Sequence, residues 1–281
     1  MAILSIQSHV SYGHAGNSAS VFPLMRLGVE VWPVHTVCFA HHTGYGEPKG
    51  HVFTGDDVKQ IIDGVKSVAN INECHAVMTG YLGAGSIGRE ILSELKQLRE
   101  LNPDMIYSCD PVMGDIEKGF FTTKDVQDFF KNDLLDHFDI LTPNLFELEQ
   151  LSNTNITSID GAIKAAKSLI SRDDQLVVVT SFQTEKENLS VLLISNNECL
   201  SVTTPEIQLN RAAVGTGDLF HSLFLGNYIN SKDTKSSLEK AVNSTFDIIN
   251  ITKKSGSYEL EIVANQELLV TPISRYEAIV I

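Results

Sequence analysis

Residues 214–220 read Val-Gly-Thr-Gly-Asp-Leu-Phe. Two glycines let a ligand come close to the main chain. Leu219, Phe220, Leu223 and Phe224 then fall on one face of a predicted helix. The loop would sit at that helix's N-terminus, where unpaired N–H groups and the helix dipole favour an anion. A P-loop would run on into Gly-Lys-Ser/Thr, but here an acid, Asp218, replaces the cation. The amides can receive charge that develops on a transferred phosphoryl group. Asp218 can take the proton of an attacking hydroxyl, and the helix terminus is expected to keep it ionised at neutral pH. The competing reading is a plain helix cap, with Asp218 satisfying loose N–H groups.

Two further segments supply oxygen ligands. Residues 109–115 read Cys-Asp-Pro-Val-Met-Gly-Asp and residues 142–147 read Thr-Pro-Asn-Leu-Phe-Glu. Nucleoside triphosphates react as their Mg²⁺ complexes, and Mg²⁺ takes oxygen donors while keeping several waters. Asp110, Asp115, Asn144 and Glu147 are suitable donors, directly or through water. Each also has a structural reading. Asn144 and Glu147 have the spacing of a capping box, and Asp110 before Pro111 fits a turn.

The elements that must position these residues alternate. Predicted strands cover residues 2–7, 29–39, 75–79, 105–109, 138–141 and 176–180. Predicted helices cover residues 17–27 (capped by Asn17), 56–69, 86–101 and 161–171. Such alternation implies βαβ units and a mostly parallel sheet. Residues 189–195 and 198–204 flank Asn196-Asn197 as a hairpin, and helices follow at 219–229 and 236–252. Ligands of open parallel sheets lie beyond the carboxyl ends of the strands. Six predicted strands lead into polar residues: Ser8 and His9, His41 to Tyr45, Gly80 and Tyr81, Asp110 to Asp115, Thr142 to Glu147, and Thr180 and Ser181. They read as one site assembled from many loops.

Composition sets the bounds. With 281 residues, 43% of them hydrophobic, the chain can bury a large core, and one domain is the simplest organisation. Lys plus Arg number 21 against 35 Asp plus Glu, a formal net charge of −14 without a basic block. That argues against nucleic-acid binding, which depends on cationic contacts to phosphates. Cys38, Cys74, Cys109 and Cys199 form no CxxC pair, so core cysteines are expected rather than a zinc site or disulfides. There is no signal-peptide pattern and no apolar run near the roughly 20 residues that span a bilayer. A cytoplasmic location without membrane contact is expected.

With these segments in view, the chain resembles the ribokinase-like superfamily and, within it, the pyridoxal kinases. The resemblance rests on QSHVSYGHAGNSA (7–19), VWPVHTVCFAHHTGYG (31–46), TGYLG (79–83), CDPVMGD (109–115), TPNLFELEQL (142–151), VTS (179–181) and VGTGDLF (214–220). It implies a three-layer α/β/α sandwich around a mostly parallel sheet, with a flap around residues 114–123. It implies transfer of phosphate from ATP to the 5′-hydroxymethyl group of pyridoxal, with Mg²⁺, often K⁺, and usually a homodimer. By position, Asp218 resembles the base and Gly215, Thr216 and Gly217 the anion hole. Ser8, Thr43 and Tyr81 resemble the family's contacts to the pyridine ring, and His42 is a further candidate against a structural role. Asp110, Asp115 and Glu147 resemble the metal and phosphate environment, with Asp110 and Glu147 nearest the metal. Asn144, Thr180, Ser181 and Thr216 resemble the nucleotide neighbourhood.

One position departs from the pattern. Many bacterial pyridoxal kinases carry a cysteine after the flap glycine, where this chain has Phe120. Thiol chemistry with the aldehyde is therefore absent from that position, while Phe120 and Phe121 can still shield the site from water. The alternatives are a kinase of another hydroxymethylated heterocycle, such as hydroxymethylpyrimidine, and a B6 reservoir with little turnover. The intact Gly215–Asp218 motif argues against the reservoir.

Overall fold

The computed structural model describes the chain except residues 186 and 210–213, and gives the backbone alone at 184 and 185. In chain order the first half comprises β1 (Ala2–Tyr12), α1 (Asn17–Arg26), β2 (Glu30–His41), β3 (Gly50–Val52), α2 (Gly55–Val68), β4 (Cys74–Thr79), α3 (Gly85–Leu101) and β5 (Ile106–Cys109). The second half comprises β6 (Gly114–Asp115), β7 (Gly119–Phe120), α4 (Lys124–Asn132), β8 (Ile140–Leu141), α5 (Leu145–Ser152), α6 (Ile159–Leu169), β9 (Leu176–Glu185), β10 (Asn188–Ile194), β11 (Cys199–Pro205), α7 (Thr216–Ser231), α8 (Thr234–Ser255), α9 (Glu267–Val270) and β12 (Ile279–Val280).

Ten strands form one sheet in the order β12-β11-β10-β9-β8-β5-β4-β1-β2-β3. From β9 to β2 the neighbours are parallel, and antiparallel strands flank them on both sides. Alternation within the strands sends side chains to two cores. Leu4, Ile6, Val177 and Val179 join one, while Ile3, Leu176 and Val178 join the other. The first core is covered by α2 to α6, through residues such as Ile62, Ile91, Phe129, Leu148 and Ala166. The second is covered by α1, α7 and α8, through Leu24, Phe224 and Ile248. Handedness explains the split. The chain steps from β1 to β2 in one direction and from β4 to β9 in the other, and right-handed crossovers then place the helices on opposite faces. The reversal at β1 leaves a crevice at the carboxyl ends of β1 and β4.

Local sequence accounts for most helices. In α3, Ile87, Ile91, Leu95 and Leu98 are buried on one face, each contributing roughly 1.5–3 kcal/mol. The start of α2 is a capping box of Thr54 and Asp57. The expected cap of α1 is overturned. Its N-cap is Gly16, and Asn17 lies inside the helix with its side chain turned into the sheet. There it accepts from Ser5 Oγ at 2.8 Å and donates to the Val34 carbonyl at 2.9 Å. A buried amide gains more from satisfying the strand edge than from an exposed cap. Three strands also outrun their expected ends: β1 continues through Tyr12, β2 through His41 and β9 through Glu185. Ser8 and Ser181 therefore sit within strands, as Thr180 was expected to, beside a register shift between Gln7 and His9 in one case and a positive φ of 58° at Ser181 in the other.

Candidate active site

The N-terminus of α7 meets the loop between β1 and α1. Gly215, at φ 88°, is the N-cap, and a Cβ there would overlap the carbonyl of His14. Only glycine permits both the conformation and the approach. Asp218, partly buried, accepts a hydrogen bond on Oδ2 from the Gly16 N–H at 2.7 Å. Ser20 Oγ donates to the Asp218 carbonyl at 3.1 Å, fastening α1 to α7. Oδ1 receives no hydrogen bond from the described residues, nor do the N–H groups of Gly217 and Asp218 have acceptors among them. Burial raises the pKa of Asp218, with the Gly16 hydrogen bond opposing it. Loss of solvent thus works against the helix end and the Gly16 donor, both of which favour the ionised form expected from the sequence.

Asp110 leads out of β5 and is 8% exposed. Its carboxylate has no hydrogen-bond partner among the described residues, and a Cβ on Gly217 would lie 3.4 Å from its Oδ2. Burial, then Glu147, then Asp218 push its pKa well above the ordinary carboxylate range. Glu147 is 2% exposed and makes the capping box with Asn144. Its Oε2 accepts from the Asn144 N–H and its Oε1 from the Met113 N–H, each at 2.9 Å. Burial still brings its pKa up to about 7. The capping reading of Asn144 and Glu147 therefore describes what they do, and it also sets Glu147 beside Asp110. Three carboxylates, at 110, 147 and 218, crowd one end of the sheet, and none of them is paired with a basic side chain among the described residues. No group of three or more His, Cys, Asp or Glu side chains in metal-binding geometry occurs among the described residues.

The remaining candidates surround this cluster. Asn144 Nδ2 donates to the Gly114 carbonyl at 2.8 Å, tying α5 to the β6–β7 flap. Asp115 holds the flap turn by accepting from the N–H groups of Glu117 and Lys118, at 3.0 and 2.7 Å. In the flap Phe120 packs edge-on to Phe146 at 5.1 Å, with Lys131 Nζ 5.0 Å over its ring. The aromatic side chain there anchors the flap to α4 and α5. Cys109, the nearest thiol, is wholly buried with its pKa pushed up to about 12, and is packing.

On the other side of Asp218, Ser8 is buried on β1 next to Gly16, which has no room for a Cβ against Ser8 Oγ. Tyr81 is half-buried after β4, its carbonyl bonded to Thr36 Oγ1 at 2.6 Å and its hydroxyl without a partner among the described residues. Thr43 is exposed in a 3₁₀ turn after β2. His42 is 4% exposed, and both of its nitrogens are occupied within the protein: Nδ1 accepts from the Gly44 N–H at 3.1 Å, and Nε2 donates to Glu259 Oε1 at 2.9 Å. Its geometry is that of a structural histidine.

Thr180, Ser181, Thr216 and Gly217 line an open cleft of about 190 Å³ whose walls are otherwise mostly apolar. Leu189 and Val191 come from β10, and Val242, Thr245, Phe246 and Ile249 from α8. The sequence reading passed over this wall. Its helical spacing of three and four was visible, but that spacing is also that of an ordinary core face. His221 was passed over too. It lies one turn beyond Asp218, wholly buried and neutral, with burial bringing its pKa down to about 3. It pairs with Ser108 Oγ at 2.6 Å, linking α7 to β5 two residues before Asp110.

Known proteins share this sequence and this architecture. A profile of the phosphomethylpyrimidine kinase family matches residues 12–261. The chain is 36% identical to the pyridoxal kinase PdxY of Actinobacillus pleuropneumoniae over 99% of its own length and 98% of that protein's. It is 38% identical to the PdxY of Rubrobacter xylanophilus, covering 98% and 95%. Among solved structures, pyridoxal kinase of Leishmania donovani in complex with ADP and pyridoxamine superposes with a TM-score of 0.92 at 28% identity, covering 100% of this chain and 99% of that one. The Entamoeba histolytica pyridoxal kinase gives 0.90 at 26% identity, covering 99% of both. The chain belongs to the pyridoxal kinases, within the phosphomethylpyrimidine kinase family of ribokinase-like enzymes.

Proposed function

We propose that the chain transfers the γ-phosphoryl group of ATP to the 5′-hydroxymethyl group of pyridoxal, giving pyridoxal 5′-phosphate and ADP, with Asp218 as the general base. The observation that carries this reading is Oδ1 of Asp218, which no described residue bonds, beside the N–H groups of Gly217 and Asp218, which have no acceptor among the described residues. The apolar cleft on one side fits a nucleotide base. Ser8 and Tyr81 on the other side offer a buried hydroxyl and a ring of the size of a pyridine. Oδ1 would take the hydroxyl proton while the α7 amides and the amide dipoles of that helix receive the migrating phosphoryl charge. Thr43 is the second hydroxyl facing the vitamer in this reading, and His42 is left to its structural bonds.

The residues present also fit Mg²⁺. Asp110 is a buried carboxylate without a donor among the described residues, and its neighbours Glu147 and Asp218 are acidic. A divalent cation bound there through one or two carboxylates and the nucleotide phosphates would relieve that repulsion and polarise the γ-phosphoryl group. Asp115 holds the turn of the flap through the N–H groups of Glu117 and Lys118. For K⁺, Thr142 Oγ1 offers a buried oxygen that has no partner among the described residues. The same reading takes the 281 residues as one domain with a flap at 114–123, acting as a cytoplasmic homodimer. No helix among the described residues is long and apolar enough to cross a membrane.

The family profile carries the name of a phosphomethylpyrimidine kinase, so hydroxymethylpyrimidine is the competing substrate. ADP release measured with pyridoxal, pyridoxine, pyridoxamine and hydroxymethylpyrimidine decides between them. Pyridoxal is expected to give the highest kcat/KM, and preference for the pyrimidine would refute the reading. Asp218→Asn is expected to lower kcat by roughly 10²–10⁴-fold with little change in KM.

A further inference from the structure

One carboxylate outside this cluster joins the two loops that frame the vitamer side of the site. Glu259 follows α8 in the C-terminal segment and is held between Leu260 and the turn at Ser257. Leu260 and Ile262, each 1% exposed, plug this segment into the core beneath α7 and α8, so Glu259 projects from a fixed backbone. Its side chain is 15% exposed. Oε2 accepts from the His14 N–H at 2.8 Å. Oε1 accepts from the Tyr45 hydroxyl at 2.8 Å and from His42 Nε2 at 2.9 Å. Although burial opposes it, these donors hold the Glu259 carboxyl below its ordinary range.

The two loops are those the reaction needs. His14 stands two residues before Gly16, whose N–H fixes Asp218, and His14 O abuts Gly215. His42 and Tyr45 bracket Thr43. The tautomer of His42 makes the link rigid. Its Nδ1 must accept from the Gly44 N–H, so Nε2 carries the hydrogen and needs an acceptor, which Glu259 supplies. The adjoining Tyr258 donates to the Gly44 carbonyl at 3.1 Å. Both loops have a glycine where the C-terminal segment touches them. A Cβ at position 13 would overlap the Glu259 carboxylate, and one at position 44 would lie 2.5 Å from the Tyr258 hydroxyl.

We propose that Glu259 is a positioning residue for the B6 substrate: it staples the Asp218-holding loop to the Thr43 loop, so that base and vitamer contacts keep one fixed spacing. The cleft read as the nucleotide site has no residue in common with this staple. The proposal rests on the B6-kinase reading for its substrate, while the staple itself is testable without any substrate.

The test uses Glu259→Ala and Tyr45→Phe in the full chain. Glu259→Ala removes all three acceptor bonds and is expected to raise KM for pyridoxal about 10-fold, while KM for ATP stays within about 2-fold. Tyr45→Phe removes one bond without opening a cavity and is expected to move KM for pyridoxal the same way by about 2–4-fold. In the ligand-free protein, amide exchange at residues 13–16 and 42–46 should accelerate in Glu259→Ala, with α3 unaffected. A residue that only stabilised the fold would shift both KM values and the exchange of α3 together, and that outcome overturns the proposal. So does unchanged exchange in the two loops. Failure of the unsubstituted protein to phosphorylate any B6 vitamer would sink the B6 reading instead, leaving exchange to decide the staple.

Discussion

Replacing Asp110 by asparagine tests the carboxylate cluster most directly. The cluster is a stability cost that the ligand-free fold carries for the sake of its ligand. Glu147 shows the size of it: a rise from the ordinary 4.5 to about 7 corresponds to about 3 kcal/mol at 1.36 kcal/mol per unit. The sign follows from linkage. A carboxyl whose pKa is raised on folding binds more protons in the native state, so stability falls as pH climbs from the unfolded value through the folded one. For Glu147 that window runs from 4.5 to about 7, and the direction for Asp110 is the same. Asp110→Asn deletes one buried charge and its repulsion of the other two. Without nucleotide or Mg²⁺ it should stabilise the protein at pH 8 by about 1–3 kcal/mol, read as a rise in Tm of roughly 2–9 °C. At pH 5 the gain should shrink, because Glu147, whose charge Asp110 repels, is by then largely protonated. Turnover should fall by at least tenfold, since the oxygen that would face the ion is lost. Thermal scans at the two pH values, with and without Mg²⁺-nucleotide, measure all of this. A lower Tm than the unsubstituted protein at pH 8, or a gain equal at both pH values, would refute the argument.

Two other substitutions probe the walls of the site. Val191→Asp places a carboxylate in the apolar cleft and should raise KM for ATP by more than about 10-fold while leaving KM for pyridoxal near its starting value; steady-state kinetics in both substrates check it. Phe120→Ala removes the flap's contacts with Phe146 and Lys131, worth about 1–2 kcal/mol. Water should then enter more readily, seen as faster ADP release in the absence of vitamer.

Much of this was legible in the linear chain. Short apolar runs placed the parallel strands, and a period of three to four the larger helices, within a few residues, because a strand buried on both faces reads as a run and a helix buried on one face as a stripe. The order of elements set a sheet whose carboxyl ends collect the polar loops, and the segments at 109–115, 142–147 and 214–220 already carried the reacting groups. Short elements escaped: β3, β6, β7 and β12 span two or three residues each and have no period to read. The cap of α1 was misread because Asn17 finds its partners on Ser5 and Val34, at 12 and 17 residues' distance in the chain.

What only tertiary structure decided is which atoms meet. Sequence named Asp110, Glu147 and Asp218, but their crowding, and hence their raised pKa values, exists only once β5, α5 and α7 converge. It offered His42 as a ligand until Glu259, 217 residues further on, took its free nitrogen. Residue type and local spacing report the chemistry a side chain can do. Desolvation and hydrogen-bond partners, which decide the chemistry it does, come from segments remote in the chain.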